Sequence, residues 1–143
     1  MSISQLIYAS RPFGFDDAML NGILMDARRN NARFDITGML ISRADIYLQL
    51  LEGPSPAVDA AFARIARDHR HLEVKRLYAS RDAQRLFPDW AMRDDPARSW
   101  LWTQDEIAAG ALERASPADI IGVFSRLAAE PPPVDDRSKP TAG

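Results

Sequence analysis

Gln49 lies between Leu48 and Leu50 in the middle of an apolar run, where an amide is an unusual choice. Burying that group without partners costs roughly 1 to 3 kcal/mol, so something must hydrogen-bond it. A backbone group or a hydroxyl is the ordinary partner. Tyr8 offers another: it shares one face of the first apolar run with Leu6 and Ser10, and a phenol both donates to and accepts from an amide. A tyrosine and a glutamine on neighbouring strands, beneath helices, would make a small polar platform. Alone, Tyr8 reads as a core tyrosine.

Other polar groups have simpler readings. Asn30-Asn31 reads as punctuation at the end of a helix, with Arg28, Arg29 and Arg33 suiting its negative terminus. Arg64 and Asp68 are four apart, the spacing of a surface ion pair worth only ~0.3 to 0.5 kcal/mol. His69 and His71 lack the spacing of metal ligands and read as the end of the same helix. No metal is expected. Trp90 and Met92 alternate on a short run that reads as a strand, which puts both on one side. Trp100 and Trp102 suit the seating of C-terminal helices. There is no Gly-rich phosphate loop of the Walker or Rossmann kind, no nucleophile elbow and no histidine triad, so hydrolytic enzymes are disfavoured.

The elements that must position these groups follow from pattern. Gln5 to Ala9 reads as a strand, and Arg11-Pro12-Phe13-Gly14 breaks it. Phe15, Met19, Leu20, Ile23, Leu24 and Ala27 then recur at helical spacing, predicting a helix from about residue 16 to 29. Phe34 to Ser42 and Ile46 to Glu52 form a hairpin around Arg43-Ala44-Asp45. Ser55 reads as an N-cap with Pro56 at the first helical position, and that helix should end near His69. Glu73 to Ala79 and Asp89 to Arg93 complete the strands. The order βαββαβ with an added strand predicts an α+β, ferredoxin-like sheet with both crossover helices on one face.

On the third strand Ile46, Leu48 and Leu50 point one way and Tyr47, Gln49 and Leu51 the other, so the second face needs a cover of its own. Thr103-x-x-Glu106 and Ser116-Pro117-x-Asp119 are capping signals for a helical pair packed across that face. After Pro131-Pro132-Pro133 the polar tail cannot bury enough to offset ordering, and disorder is expected over 131–143.

The chain of 143 residues and 16.0 kDa supports a single domain with a short appendage. Eighteen basic against twenty acidic residues leave no bulk positive field for nucleic acid or an anionic membrane. The lack of cysteine removes disulfides, thiolate metal sites and cysteine nucleophiles. With no signal-peptide pattern and no run approaching the ~20 apolar residues of a membrane span, a soluble cytoplasmic protein is expected.

Leu6-Ile-Tyr8, Arg29-Asn-Asn31, Ile36-Thr-Gly-Met-Leu40, Leu48-Gln-Leu-Leu-Glu-Gly53, Arg64-Ile-x-x-Asp68 and Phe87-x-x-Trp90-x-Met92 together resemble the BLUF family, blue-light sensors using FAD, over about residues 3 to 95. The resemblance implies non-covalent FAD with its ring between the two helices. It implies Tyr8 as the light-dependent electron and proton donor, and Gln49 as the amide whose hydrogen bonds rearrange, by rotation or tautomerism. It places Asn31 at the flavin's polar edge, Arg64 and Asp68 near the other polar edge, and Ile23 and Ile65 as apolar walls. Trp90 and Met92 are implied as signal relays. Asn30 departs from relatives that carry histidine there.

The domains expected on this basis are a photosensor over 1–97, a helical cap over 98–130 and the tail over 131–143. About 48 residues are too few for a cyclase or phosphodiesterase domain, so a non-enzymatic photoreceptor is expected, signalling to a separate protein or a dimer mate. A ferredoxin-like interaction or small-ligand module without a photocycle is the rival. An acylphosphatase-like enzyme is weakened because no Gly-rich anion loop follows the first strand.

Overall fold

The computed structural model describes residues 2–14 and 16–130. The tail over 131–143 and Phe15, counted above in the first helix, lie outside the described residues. Five strands form one sheet: β1 (Ile3–Pro12), β2 (Thr37–Arg43), β3 (Ile46–Gly53), β4 (His71–Ala83) and β5 (Arg93–Pro96), in the order β4-β1-β3-β2-β5. The first four pair antiparallel and β5 adds parallel to β2. Helices α1 (Asp17–Phe34) and α2 (Ser55–Ala66) make the crossovers of the expected ferredoxin-like α+β fold.

Period-2 alternation sorts the sheet into two cores. Leu6, Tyr8, Leu40, Tyr47 and Leu51 meet Leu20, Ile23, Leu24, Val58 and Ala61 of α1 and α2. On the opposite face Ile7, Met39, Ile41, Leu48 and Leu50 meet Ile120, Val123, Phe124 and Leu127. This second cover comes from α3 (Gln104–Ala108), α4 (Ala111–Arg114) and α5 (Pro117–Ala128). Both capping boxes form, and the expected pair gains the one-turn α4 between its members.

Several boundaries differ from expectation. Helix α1 starts at an Asp16 cap, whose carboxylate accepts from Met19 N–H, and continues to a left-handed Asp35 at φ 60°. Asn30-Asn31 is therefore interior to the helix. Ser55 is the first residue of α2 rather than its cap, and the helix ends at Ala66, short of His69 and His71. The Arg64–Asp68 ion pair does not form, because Asp68 lies beyond the helix and bonds Arg70 instead. The fifth strand begins where it was expected to end. Phe87 to Met92 carries the alternating apolar residues, but Arg93 to Pro96 makes the ladder.

Gly38 sits at φ 157° beside β3, where an added Cβ would lie 2.0 Å from the Leu50 carbonyl oxygen. Only glycine lets β2 approach so closely. Its N–H donates to Trp90 O at 3.1 Å, tying β2 to the segment that enters β5.

Candidate functional site

Tyr8 and Gln49 are register partners on β1 and β3, both almost completely buried. The Tyr8 hydroxyl donates to Gln49 Oε1. Gln49 Nε2 donates to Met92 Sδ at 3.2 Å, a weak acceptor for an amide. A primary amide carries two N–H groups, so one remains for an acceptor on the helix side. Burial, reinforced by the negative charges of Asp68 and Tyr47 on ionisation, pushes the Tyr8 phenol well above its ordinary value, so it keeps its proton.

In front of Gln49, a cleft of about 280 Å³ opens between α1 and α2. Ile23 and Ala27 form one apolar wall, Ala61 and Ile65 the other, and Leu51 lies beside Gln49 on the floor. Asn31, Asp68 and Arg64 also line it. Tyr8 does not: it reaches the cleft only through Gln49. Buried Asn31 donates from Nδ2 to Ala91 O at 2.8 Å, fixing α1 to the segment before β5.

Trp90 and Met92 do not face the same side. Met92 joins the core under α1 and α2, where it meets Gln49, whereas Trp90 packs into the opposite core with Phe87 and Phe124. Strand alternation failed here because this segment is not a strand.

The cleft also contains residues that sequence reasoning had assigned elsewhere or passed over. Arg70 bridges Asp68 at 2.6 Å and Asp26 at 2.9 Å. Its hydrogen bond holds the Asp68 carboxyl below its usual value, and both acids keep Arg70 cationic. His71 Nδ1 and Ser10 Oγ are 2.8 Å apart, and the imidazole meets the rings of Tyr8 and Tyr47 edge-on. Burial lowers His71 from 6.5 to about 4, which leaves it neutral. The available signal was the polar cluster Asp68-x-Arg70-His71 at the entry to β4.

Apolar walls, an amide floor, a second amide in Asn31 and a guanidinium from Arg70 suit a flat heteroaromatic ring with polar edges. At about 280 Å³ the cleft is near the lower end of the ~300 to 1,000 Å³ of small-molecule sites, enough for the ring part of a larger cofactor. The residues present thus fit a flavin.

A family model described as sensors of blue light using FAD matches residues 3–93. The chain belongs to the BLUF family. Its cofactor class is therefore FAD, and its role as a blue-light sensor is that of the family. Photoactivated adenylate cyclase subunit beta of Euglena gracilis is 33% identical over 92 residues, covering 64% of this chain and 10% of that protein. The antirepressor BluF of Escherichia coli, regulated by blue light and temperature, is 34% identical over 61 residues, 43% of this chain and 15% of that one. The chain thus spans about a tenth to a seventh of these curated relatives. The dark-state structure of the BLUF protein BlrB is 32% identical with a TM-score of 0.73, covering 90% of this chain and 96% of that chain. No helix among the described residues is long and apolar enough to cross a membrane.

Proposed function

We propose that this BLUF chain is a non-enzymatic cytoplasmic photoreceptor whose Tyr8–Gln49 pair is the light-sensitive element and whose output is a contact with a separate protein or a dimer mate. The hydrogen-bonded chain Tyr8 to Gln49 to Met92 on the cleft floor carries this reading. The likeness to the BLUF protein BlrB, 32% identical across 90% of this chain, supports this reading.

Ile23, Ala27 and Ile65 would hold the ring by its faces, while Asn31, Gln49 and Arg70 would meet its polar edges. The bound FAD supplies blue-light absorption and, when excited, oxidising power. Tyr8 gives up an electron and, through its hydrogen bond, a proton toward Gln49; both return to Tyr8 at the end of the cycle. Gln49 is left with its hydrogen bonds exchanged. If the amide ends reversed, with Oε1 toward Met92, the bond to Sδ is lost, because a thioether has no proton to give. Met92 is then released, and its movement reaches β5.

The test is the visible spectrum of flavin-loaded protein in darkness, under blue light and during return to darkness. A small reversible red shift is expected. Gln49→Leu and Tyr8→Phe should retain flavin but lose the shift. A normal photocycle in either variant would refute the assignment, and folded protein unable to retain flavin would favour the interaction-module reading.

A further inference from the structure

A second cavity, of about 160 Å³, lies between the first turns of α2 and strands β1 and β4, and it shares no lining residue with the ring cleft. That volume is below the ~300 Å³ at which small-molecule sites begin, so it suits one compact group. Three features converge on an anion. Helix α2 is capped by Pro54, which has no side-chain oxygen to offer, and Pro56 has no N–H, so the N–H groups of Ser55 and Ala57 have no partner inside the helix. Arg76 and Arg81 of β4 line the cavity, and neither has an ion pair or a side-chain hydrogen bond with a described residue. Ser4 of β1 is only 7% exposed and lines the same cavity, yet its Oγ has no hydrogen-bond partner among the described residues. A buried hydroxyl left unbonded is costly, so this atom marks a place for a hydrogen-bonding ligand. The lining also holds one acid, Asp59 in the second turn of α2, likewise unpaired among the described residues.

We propose that this cavity is a binding site for inorganic hydrogen phosphate. Arg76 and Arg81 offer paired N–H donors that match its oxygens, and the free N–H groups at the positive end of α2 add to them. The Ser4 hydroxyl donates from β1 and gains the partner it lacks. Asp59 decides which anion is taken. A carboxylate accepts but cannot donate, so it repels an anion that has no proton to give. Hydrogen phosphate keeps an O–H and satisfies Asp59, whereas sulfate has none and a phosphate monoester loses its second proton near pH 6. The site therefore selects free phosphate over both. It stands independently of the flavin reading, since none of these residues lines the ring cleft.

The experiment titrates purified, flavin-loaded protein in darkness at pH 8 and constant ionic strength with inorganic phosphate, sulfate and glycerol phosphate, following backbone amide NMR signals. Phosphate should give saturable shifts at Ser55 and Ala57, and the other two anions should bind about tenfold more weakly or less. Arg76→Gln and Arg81→Gln, at exposed positions the fold tolerates, should each weaken phosphate by about tenfold, the size of one charge-assisted hydrogen bond. Ser4→Ala should weaken it too. Asp59→Asn should bring sulfate close to phosphate, because an amide donates as well as accepts. Shifts that never saturate, or saturable binding that survives loss of both arginines, would overturn the site. So would wild-type protein that takes sulfate or glycerol phosphate as tightly as phosphate.

Discussion

Gln49 was legible because an amide inside an apolar strand demands an explanation, and Tyr8 because strand alternation put a phenol within reach. His71 was not legible: two histidines beside a helix end look like solvated punctuation until β4 carries one inward. That position has a measurable consequence. The unfolded chain protonates this imidazole near 6.5, while the folded one resists down to about 4. Between those values the unfolded state binds more protons, so stability should fall as pH drops from 6.5 toward 4 and stay flat above. The loss amounts to at most about 3 kcal/mol. Asp68, held below its ordinary value, contributes a further loss only at more acid pH. Chemical denaturation across pH 4 to 7 should show this slope in wild type and a flatter one in His71→Gln. At the same scale, Met92→Leu removes the sulfur that accepts from Gln49 while keeping similar volume. It should retain flavin and change the dark-recovery rate, read as the decay of the red-shifted band.

Regular periodicity made β1, the β2–β3 hairpin and the apolar faces of α1, α2 and α5 readable, since each has one face to bury. β5 was misplaced because its residues contradict that rule. Arg93, Asp94 and Asp95 are buried charges on a sheet edge, and the apolar pattern lies just upstream. Their burial is offset by partners no local pattern reveals: Arg93 pairs with Asp95, Arg98 also bonds Asp95, and Arg28 of α1 reaches Asp94 and Met92 O. Likewise α1 outran its Asn pair because Asp35, in a left-handed conformation, supplied the stop four residues after Asn31. The β2–β3 approach gives the prediction that belongs here. Gly38→Ala would force a Cβ into the Leu50 carbonyl, so the hairpin must open or shift register. Its cost should be roughly 3 kcal/mol or more, seen as a large fall in Tm.

At the scale of the whole molecule, the sheet is a partition with the α1–α2 cleft on one side and the α3–α5 cover on the other. That the second face needed a cover was legible from β3; the connection through the partition was not. Three consecutive residues make it. Met92 accepts from Gln49 on the cleft side, Arg93 turns to the cover, and Asp94 returns to Arg28 of α1. The Arg93 guanidinium donates to Leu127 O in the last turn of α5 and to Glu130 O just beyond it, both at 3.3 Å, and so caps the C-terminal end of the helix. Arg98 joins Asp95 to Glu130 and completes the clasp. On the proposed reading, a displacement of Met92 would be felt at the cap on α5 through Arg93. Arg93→Lys keeps the charge but replaces a fork with a point donor, which cannot serve Asp95 and two carbonyls together. The variant should show the normal red shift under blue light, since the Tyr8–Gln49–Met92 chain is untouched. Amide hydrogen exchange compared in darkness and under illumination should change at the end of α5 in wild type and lose that change in Arg93→Lys. Equal light-dependent exchange in both proteins would place the coupling elsewhere, leaving Arg93 as a helix cap alone.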